Sequence, residues 1–493
     1  MRADSGSSQG QITATCPLDT KGPRATGVRL GSDGSIGLGI YLPGAAKKAQ
    51  DEEVRQFGIL VGIALAAGQP SKCAEILHID PEAQMALSRP GRAELGLIGV
   101  NVHRFRGNAP LDLAREAGFR FVRADLLWER VERGGAYRFP VYDALMNALE
   151  ARGMGALLIL DYGHPDHGGK VPRTAEDITA FGRFAEAAAR HFKGRDVRYE
   201  IWNEPDIVQF WPPKPNVQEY AALLREAVSA IHRADPAAKV VSGGVSRLDL
   251  KFLRKAIDPG LAAGLSAIGV HPYPKGDPEK IGPEIEKLRE WARQSFGERL
   301  EIWDTEWGYS STNFTGRALG NGHSDEGRLQ QARLAVREML TVWSVEFPLC
   351  VWYDLQDDGA DAGNPEQNYG LVDAKGVAKP AMQAVRTVMT AVRGRRYAGM
   401  IQHAPSGMHA MRFDGQADVL FIVWNDRAGK RQTIRYTKDN LVSVTSWMNN
   451  TVELKADSSR EAQMEVDEAA GPIYLLWKHP PAPPHDGAAV SVR

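Results

Sequence analysis

The sequence predicts an α/β fold in which a (β/α)8 barrel precedes a small antiparallel β-sandwich. Eight short, continuously apolar runs alternate with segments of helical periodicity, and they lie at residues 95–102, 119–127, 156–160, 197–202, 239–243, 267–270, 300–303 and 349–353. Continuous apolar strands separated by helices are typical of a parallel sheet that is covered on both faces. Eight such units in succession indicate a closed barrel.

An open, doubly wound sheet is the alternative arrangement of the same units. Such a sheet commonly carries a G-x-G-x-x-G motif after its first strand, and none follows residues 95–102. Polar residues also follow nearly every apolar run, whereas a doubly wound sheet concentrates them at one switch point. Both observations favour the barrel.

We place the barrel at residues 95–395 and the β-sandwich at residues 396–478. The last barrel helix is expected to begin near Lys379-Pro380, because proline is favoured in the first turn of a helix. Beyond it the periodicity changes to short alternating runs, which are typical of antiparallel strands, at residues 409–413, 419–424, 432–436, 442–447 and 473–477. Residues 1–94 are predicted to form an N-terminal extension, and the proline-rich residues 479–493 a disordered tail.

The composition excludes several classes of protein. The chain has 493 residues, a formal net charge of -1 and 43% hydrophobic residues, which suits a large folded core and not a disordered or collagen-like chain. Because a near-neutral chain shows no basic excess, we expect no nucleic-acid partner. The three cysteines, Cys16, Cys73 and Cys350, support neither a disulfide framework nor a zinc site.

The N-terminal extension contains a segment that resembles an export signal, at residues 54–67. A short apolar run there is followed by small residues, and it is too short to span a bilayer. Its internal position would suit translation that begins at Val54, and the protein would then be periplasmic or secreted. The alternative is a buried helix or strand that docks onto the main domain of a cytoplasmic protein. No stable membrane span is expected in either case.

Two glutamates follow predicted strands that face each other. The fourth apolar run leads into Asn203-Glu204-Pro205, and the seventh leads into Thr305-Glu306-Trp307. Since the active site of a (β/α)8 barrel lies at the carboxyl ends of its strands, Glu204 and Glu306 are expected to approach each other. Glycosidic cleavage needs such a pair: a neutral acid protonates the leaving oxygen, and a carboxylate stabilises or attacks the sugar cation.

These residues resemble those of a known family. Trp202-Asn203-Glu204-Pro205 and Thr305-Glu306-Trp307-Gly308 are similar to the acid/base and nucleophile motifs of the retaining glycosidase superfamily that includes cellulases and xylosidases. Within it, the chain resembles glycoside hydrolase family 39, particularly its bacterial members associated with exopolysaccharide loci, over residues 95–395. The resemblance implies that Glu204 is the general acid/base and Glu306 the nucleophile. It also implies that Asn203 holds the 2-hydroxyl of the reacting sugar.

Three further residues at strand ends are candidates for substrate binding or for positioning the glutamates. Arg123 is a charged residue inside an apolar strand, so it is expected to be paired, either with Glu306 or in a structural ion pair such as one with Asp125. His271 and Tyr273 end the sixth strand and could hydrogen-bond the glutamates. The alternative for His271 is a core histidine satisfied by the backbone.

Aromatic and polar side chains at the other strand ends complete the predicted site. Trp352 is expected to form a flat floor for a sugar ring, and Trp307 and Trp211 are possible outer platforms. Tryptophan is also a common core residue, which is the alternative for Trp211. The remaining candidates, each of which could instead only orient its neighbours, are His103, Trp128, Asp161 and His164.

Three classes of function can be compared. A retaining β-glycosidase that acts on an oligosaccharide or polysaccharide fits both glutamates, whereas an inactive carbohydrate-binding barrel would be expected to lack one. A metal-dependent hydrolase or an aldolase would need clustered histidine ligands or a strand-end lysine, and the sequence shows neither. We therefore expect a carbohydrate ligand, no cofactor and no metal, and the sequence predicts no particular oligomeric state.

The sequence says less about the sugar. Only Arg104, Arg106 and Arg123 supply positive charge near the strand ends, which disfavours a uronate substrate, and the aromatic residues suit an extended glycan. This favours an enzyme directed at a polysaccharide such as a bacterial exopolysaccharide. An exo-acting, β-xylosidase-like enzyme is the alternative.

Overall fold

The computed structural model describes residues 28–30, 36–38, 76–83, 85–88, 95–103, 105, 107–274, 276–312, 321–453 and 459–479. The chain divides into two compact units, Met1–Ala74 and Glu75–Arg493. In the first unit, β1 (Val28–Leu30) pairs antiparallel with β2 (Ile36–Leu38). The predicted export segment, the tail beyond residue 479, and both Arg104 and Arg106 lie outside the described residues. Over the described part of the chain, no helix has the length and apolar composition needed to cross a bilayer.

The second unit contains a closed barrel of eight parallel strands. After β3 (Ile76–Ile79), the strands in chain order are β4 (Leu97–Asn101), β5 (Phe121–Leu127), β6 (Glu132–Arg133), β7 (Ala136–Tyr137), β8 (Gly155–Asp161), β9 (Val197–Asn203), β10 (Lys239–Ser246), β11 (Ala267–His271), β12 (Glu301–Trp307) and β13 (Leu349–Trp352). The short strands β6 and β7 pair only with each other, and the other eight from β4 to β13 form the barrel. Each predicted apolar run therefore contains or overlaps one barrel strand.

Helices surround the barrel. Their bounds are α1 (Asn108–Ala117), α2 (Trp128–Val131), α3 (Pro140–Glu150), α4 (Ala175–His191), α5 (Val217–Ala234), α6 (Leu250–Ala256), α7 (Pro259–Ala262), α8 (Gly282–Phe296), α9 (Asp325–Ser344) and α10 (Pro380–Val392), with short 3-10 turns at Pro278–Ile281 and Pro365–Gln367. Polar side chains cap several of them: Thr174 accepts from the Asp177 N–H at the start of α4, and Asn216 caps α5 in the same way. Pro380 begins α10, at the position that the sequence predicts.

A β-sandwich follows the barrel. It is built from β14 (Arg396–Met400), β15 (Met408–Asp414), β16 (Asp418–Asn425), β17 (Arg431–Thr437), β18 (Leu441–Ser446), β19 (Glu461–Asp467) and β20 (Ile473–Lys478). One sheet has the order β14-β15-β16-β20-β18, and the other has the order β19-β17-β3. The predicted fold class, a (β/α)8 barrel with a C-terminal antiparallel β-sandwich, is confirmed. The N-terminal strand β3 was not predicted, and it adds parallel to β17.

Alternation along β16 shows how the sandwich joins the barrel. Val419, Phe421 and Val423 pack into the core between the two sheets. The intervening Leu420, Ile422 and Trp424 pack into the large core that the barrel shares with its helices. Because successive strand residues point to opposite faces, both faces of this strand are buried. The sandwich therefore braces the outside of the barrel, away from the interior of the mouth.

The barrel interior has its own small core. Phe121, Leu157, Val241, Ala267, Trp303, Leu349 and Val351 form it. These residues mark which positions of each strand point inward. Counting in steps of two from them toward the carboxyl ends of the strands identifies the side chains that line the mouth.

Candidate active site

The fourth barrel strand, β9, presents three polar side chains to the interior because its backbone departs from strict alternation. Glu200 and Asn203 both contact Arg123 inside the barrel, although they are three residues apart. Between them, Trp202 packs outward against Trp211 and has a positive φ of 72°. Glu204 also has a positive φ, of 40°. Non-glycine residues rarely adopt this conformation, and such strain is concentrated at functional sites.

The seventh barrel strand, β12, is irregular in the same way. Its register against β13 shifts between Asp304 and Trp307. As a result, Thr305 and Glu306 both point inward: the Thr305 hydroxyl donates to Glu200 at 3.0 Å, and Glu306 reaches Arg123 at 2.7 Å. A bulge of this kind re-aims one side chain without disrupting the rest of the sheet. It brings Glu306 into the mouth.

Arg123 lies at the centre of the site. It is 1% exposed, and its guanidinium donates to Glu200 Oε2 at 2.7 Å, to Glu306 Oε2 at 2.7 Å and to Asn203 Oδ1 at 2.8 Å. A buried charge is tolerated when it is paired and hydrogen-bonded in this way. Of the two pairings that the sequence leaves open for Arg123, the structure places its guanidinium on Glu306 and also on Glu200, a residue that we did not single out.

A close approach of three strands completes this layer. The Gly244 N–H, on β10, donates to Glu200 Oε1 at 2.9 Å. A Cβ at Gly244 would lie 2.1 Å from His271 Nε2 and 2.7 Å from the Thr305 hydroxyl, so only glycine fits there. Glu200 thus accepts hydrogen bonds from β5, β10 and β12, and it fixes the relative positions of the strands that carry the site.

Two residues of the sixth strand hold the two glutamates. His271 Nδ1 donates to Glu204 Oε1 at 2.9 Å, and the Tyr273 hydroxyl donates to Glu306 Oε1 at 3.0 Å. One carboxylate oxygen of Glu204, one of Glu306 and one nitrogen of His271 all lie within 4.8 Å of one another. The structure therefore brings together Glu204, Glu306, Asn203, Arg123, His271 and Tyr273 in one cluster.

The cluster keeps Glu306 ionised. Burial alone would raise its pKa, but the positive charges of His271 and Arg123 and the hydrogen bond from Tyr273 hold the pKa below its ordinary value. The same opposition acts on Glu200, where burial is overcome chiefly by Arg123 and the pKa falls to about 2. Burial would lower the pKa of His271, but the carboxylates of Glu306, Glu200 and Glu204 raise it to about 10. These carboxylates therefore favour the protonated form of His271.

Replacement of Arg123 by methionine should destabilise the fold strongly. It leaves the carboxylates of Glu200 and Glu306 buried without their cation, which costs about 3–5 kcal/mol in comparable buried pairs. Urea denaturation would measure the loss in the free energy of unfolding. Arg190→Met is the matched control, because Arg190 is 70% exposed and its pair with Glu186 on α4 contributes only about 0.3–0.5 kcal/mol. Equal losses for the two variants would show that the Arg123 cluster is not a stabilising element.

The predicted tryptophan platforms are wrong. Trp352, Trp307 and Trp211 are each 0% exposed and pack in the core between the barrel and its helices. The cause at Trp352 is alternation: Leu349 and Val351 point into the barrel, so Trp352 points outward. At Trp307 the cause is the register shift that turns Glu306 inward. Trp211 donates its indole N–H to Glu219 at 3.0 Å, which is the core alternative.

Tyr353 occupies the position that we expected for Trp352. It follows Val351 on the inward face of the eighth strand and stays partly accessible, with 9% exposure. Its ring meets the edges of His103 and Tyr369 at centroid distances of 5.1 and 5.0 Å. An inward aromatic ring that is fixed on both sides can form the floor for a sugar.

Tyr353→Ala should therefore raise KM for a glycoside, while Trp352→Phe should not. The loss of one aromatic contact, about 0.5–1.5 kcal/mol, corresponds to a rise of about 3- to 10-fold in KM. Trp352→Phe should instead lower the midpoint of urea unfolding, because it opens space in a closely packed core. Steady-state kinetics and urea unfolding of both variants test the assignment. An unchanged KM for Tyr353→Ala would contradict it.

The remaining sequence candidates divide into two groups. His103 lies at the mouth, where its side chain is 30% exposed and Nδ1 donates to Asp358 at 2.7 Å. Burial would lower its pKa, but Asp358 and Asp354 raise it to about 9. Asp161 points into the barrel and is fully buried. The structure does not bring His164 to the catalytic cluster: it is buried against Trp128, whose indole N–H donates to Glu132 at 2.6 Å.

Two groups of side chains have the composition of metal sites, within the residues that the structure describes: Glu204, His271 and Glu306, and also His103, Asp354 and Asp358. In both groups, the imidazole Nδ1 is hydrogen-bonded to a carboxylate, at 2.9 and 2.7 Å respectively. The imidazole nitrogen counted in each group is therefore already bonded to a carboxylate of the same group, as the structure places it. We therefore derive no metal chemistry from either group.

Sequence reasoning missed four residues of the site. Three are acidic, Glu200, Asp125 and Asp206, and one is aromatic, Tyr353. The Asp206 carboxylate accepts from the Ser246 N–H at 3.0 Å, and burial raises its pKa to about 7. Its place two residues after Glu204 was the available signal. Glu200 could have been found by the argument that selected Arg123, since each is a charged residue inside an apolar strand.

Comparisons with known proteins agree with this geometry. The model of the cellulase family, glycosyl hydrolase family 5, matches residues 90–336, just over half of the chain. The chain belongs to the cellulase family of glycoside hydrolases. The predicted superfamily and the predicted class of enzyme, a glycoside hydrolase, are thus confirmed. No curated protein sequence matches this glycoside hydrolase.

Solved structures with a similar fold include other glycoside hydrolases. A family 39 glycoside hydrolase from Bacteroides cellulosilyticus WH2 is 23% identical with a TM-score of 0.66, over 77% of this chain and 80% of that one. A monomeric β-xylosidase from Caulobacter crescentus CB15 is 15% identical with a TM-score of 0.58, over 83% and 100%. The family 39 enzyme from Xanthomonas axonopodis pv. citri is 15% identical with a TM-score of 0.57, over 81% and 99%. At these identities the likeness concerns the fold.

Proposed function

We propose that this glycoside hydrolase cleaves β-glycosidic bonds of an oligosaccharide or polysaccharide, such as a bacterial exopolysaccharide, with retention of anomeric configuration. Glu204 is the general acid/base and Glu306 is the nucleophile. The observation that carries the proposal is the approach of their carboxylate oxygens to within 4.8 Å. Retaining enzymes hold their carboxyl groups about 5–5.5 Å apart, whereas inverting enzymes leave about 6.5–9.5 Å for a water molecule.

In the first step, a Glu306 carboxylate oxygen attacks the anomeric carbon. The bond from that carbon to the glycosidic oxygen breaks, and the leaving oxygen takes the proton of Glu204. In the second step, the now ionised Glu204 removes a proton from water, whose oxygen attacks the same carbon and displaces Glu306. The sugar is released, Glu204 is protonated again, and Glu306 returns to its carboxylate form.

The surrounding residues suit these two roles. Arg123 and Tyr273 each bond a different oxygen of Glu306, so they orient the nucleophile and keep it charged. His271 bonds one oxygen of Glu204 and thereby sets the direction of its proton. Arg123 also fixes Asn203, next to Glu204 in the chain, so that the Asn203 amide can contact the 2-hydroxyl of the sugar. Hydrogen bonds at this hydroxyl strengthen as the sugar cation develops.

A cleft at the carboxyl ends of the second, third and fourth barrel strands supports an oligomeric substrate. It has a volume of about 610 Å³, and its lining includes Leu127, Tyr162, Lys170 and Phe210 from the loops that follow the second, third and fourth barrel strands. The rings of Tyr162 and Phe210 stack at 5.8 Å with an angle of 7° between their planes, and both are half-buried. Aromatic rings in a cleft of this size can bind further sugar units of a glycan chain.

The proposed substrate implies where in or outside the cell the protein acts. A polymer outside the cell requires an exported enzyme, so we also propose that the protein is periplasmic or secreted. The segment at residues 54–67 is the candidate signal.

Incubation with a panel of glycans tests the proposed function. Purified wild-type protein and the Glu306→Ala variant are each mixed with β-linked aryl glycosides and with bacterial and plant polysaccharides, and the products are identified by mass spectrometry. Products from the wild type alone would establish hydrolysis at this site and name the glycan. Oligomeric fragments would indicate cleavage within chains, and release of single sugars would indicate an exo-acting enzyme. Glycan binding without any product from the wild type would contradict the proposal.

A further inference from the structure

Two aspartates that the proposed mechanism does not use lie at the ends of adjacent barrel strands. Asp125 is on β5, two residues after Arg123, and it therefore shares the inward face of that strand. Asp161 ends β8, where it pairs with Leu127 in the register, and it also points inward, two steps of alternation beyond Leu157. Inward side chains at diagonal positions of neighbouring strands can touch. The two carboxyl groups meet above the Arg123 cluster.

Asp125 is the polar neighbour of Asp161 on the adjacent strand. Asp161 is 0% exposed, and among the described residues no N–H or O–H group donates to either of its oxygens. Two carboxylates in contact repel each other, so such a pair holds one proton between them. Burial and the Asp125 charge raise the pKa of Asp161 well above its ordinary value. Burial also raises the pKa of Asp125, but His103 and Arg123 oppose that rise. These charges favour the proton on Asp161 over Asp125.

Asp125 is the accessible member of this pair. It is half-buried, whereas Asp161 is closed off behind it. Arg123, two residues earlier on the same face of β5, contacts the nucleophile Glu306 at 2.7 Å, so Asp125 lies at the same barrel mouth. Strands two and three also lie across the mouth from strand seven, which carries Glu306. A sugar ring with its anomeric carbon at Glu306 would turn its far edge toward Asp125.

We propose that Asp125, held by Asp161 behind it, accepts hydrogen bonds from the 3- or 4-hydroxyl of the sugar that reacts at Glu306, and that this subsite takes an uncharged sugar and rejects a uronic acid. Asp125 is the specificity-determining residue, and Asp161 is a positioning residue. The inference rests on the proposed function and adds the class of sugar to it.

His103 and Lys379 are both already paired, which also disfavours a substrate that carries a carboxylate. His103 already donates to Asp358 at 2.7 Å and lies 3.9 Å from Asp354. Lys379, which is buried, is bonded to Asp357 at 3.0 Å. Neither cation, as the structure places them, is free to neutralise a sugar carboxylate, and the charge of Asp125 would repel one.

Deoxy substrates test the hydroxyl contact without any change to the protein. The neutral probe is whichever 2,4-dinitrophenyl β-glycoside, of glucose, mannose or xylose, the wild type cleaves fastest, together with its 3-deoxy and 4-deoxy analogues. Loss of a hydrogen bond to a charged group should lower kcat/KM for one analogue by about 10- to 100-fold. In Asp125→Ala the same analogue should lose less than about 3-fold relative to its parent, because the acceptor is already absent.

Asp166→Ala is the matched control. Asp166 follows Asp161 on the same loop, and its side chain is 74% exposed, so this variant removes a nearby charge that points away from the barrel. It should keep the full deoxy penalty of the wild type. The inference is overturned if neither deoxy analogue is penalised, or if Asp125→Ala keeps the wild-type penalty. Failure of the wild type to cleave any β-linked aryl glycoside or polysaccharide of the panel above would overturn the proposed function, and the inference with it.

A glucoside and glucuronide pair tests the rejection of uronic acids. The wild type should cleave 2,4-dinitrophenyl β-glucuronide at least about 100-fold more slowly than the glucoside, and Asp125→Asn should narrow that ratio about 10-fold. The Asp166→Asn variant should leave the ratio unchanged. A wild-type preference for the glucuronide would overturn the inference while leaving the two-glutamate mechanism intact.

Discussion

Replacement of Glu306 by glutamine is expected to abolish turnover. The amide has nearly the shape of the carboxylate, but it cannot form the covalent bond to the anomeric carbon, so kcat should fall roughly 10⁴-fold or more. Folding should be retained, because the Arg123 guanidinium keeps Glu200 and Asn203 as acceptors. Initial rates with 2,4-dinitrophenyl β-glycosides, together with urea unfolding, measure both effects.

Glu301→Gln is the control for this variant. Glu301 lies at the opposite end of the same strand, where it accepts from the Trp303 indole N–H at 2.8 Å. This change alters the same kind of residue on β12 without touching the mouth, so activity should remain. Turnover by Glu306→Gln near the wild-type rate would contradict the nucleophile assignment.

Replacement of Glu204 by alanine should separate natural from activated substrates. A natural glycan needs a proton on its leaving oxygen, so its hydrolysis should fall by about 10²–10⁴-fold. A 2,4-dinitrophenolate leaves without that proton, so formation of the glycosyl-enzyme should be largely spared. Azide, a small anion that needs no general base, should then restore turnover by attacking the intermediate and yield a glycosyl azide of the β configuration.

The comparison between substrates is its own control, because both are measured on one variant. Parallel loss of activity on both substrates, with no product formed in azide, would show that Glu204 is not the acid/base. His271 would then need reconsideration, since it is the next proton-bearing group at this place and is bonded to Glu204.

The barrel could be predicted from the sequence because continuous apolar runs are a direct consequence of burial on both faces of a strand. The sandwich strands β16 and β20 were visible for the same reason, since each contains a continuous apolar run. By contrast, β19 (Glu461–Asp467) reads Glu-Ala-Gln-Met-Glu-Val-Asp and has a polar majority, and β3 pairs with β17 from more than 350 residues away. Composition and local periodicity contain no sign of such a pairing.

The site could be predicted at the level of its glutamates but not of its walls. Strand-end position was enough to select Glu204, Glu306, Arg123 and His271. Trp307 was assigned wrongly because a one-residue shift of register moves a side chain to the other face of a strand, and Trp352 because the inward positions of its strand are Leu349 and Val351. The shift at Trp307 and the positive φ at Trp202 are properties of the closed barrel. Neither irregularity corresponds to a sequence pattern that predicts it.

Trapping of the covalent intermediate tests the central claim most directly. The wild type is incubated with a 2-deoxy-2-fluoro glycoside of the sugar that it cleaves, bearing a dinitrophenyl leaving group, so that the intermediate forms and then hydrolyses slowly. Intact-protein mass spectrometry should show the addition of one fluoroglycosyl unit, and fragmentation should place it on Glu306. An unmodified protein whose first product has the inverted anomeric configuration by NMR, or a label on any other residue, would contradict the two-glutamate retaining mechanism.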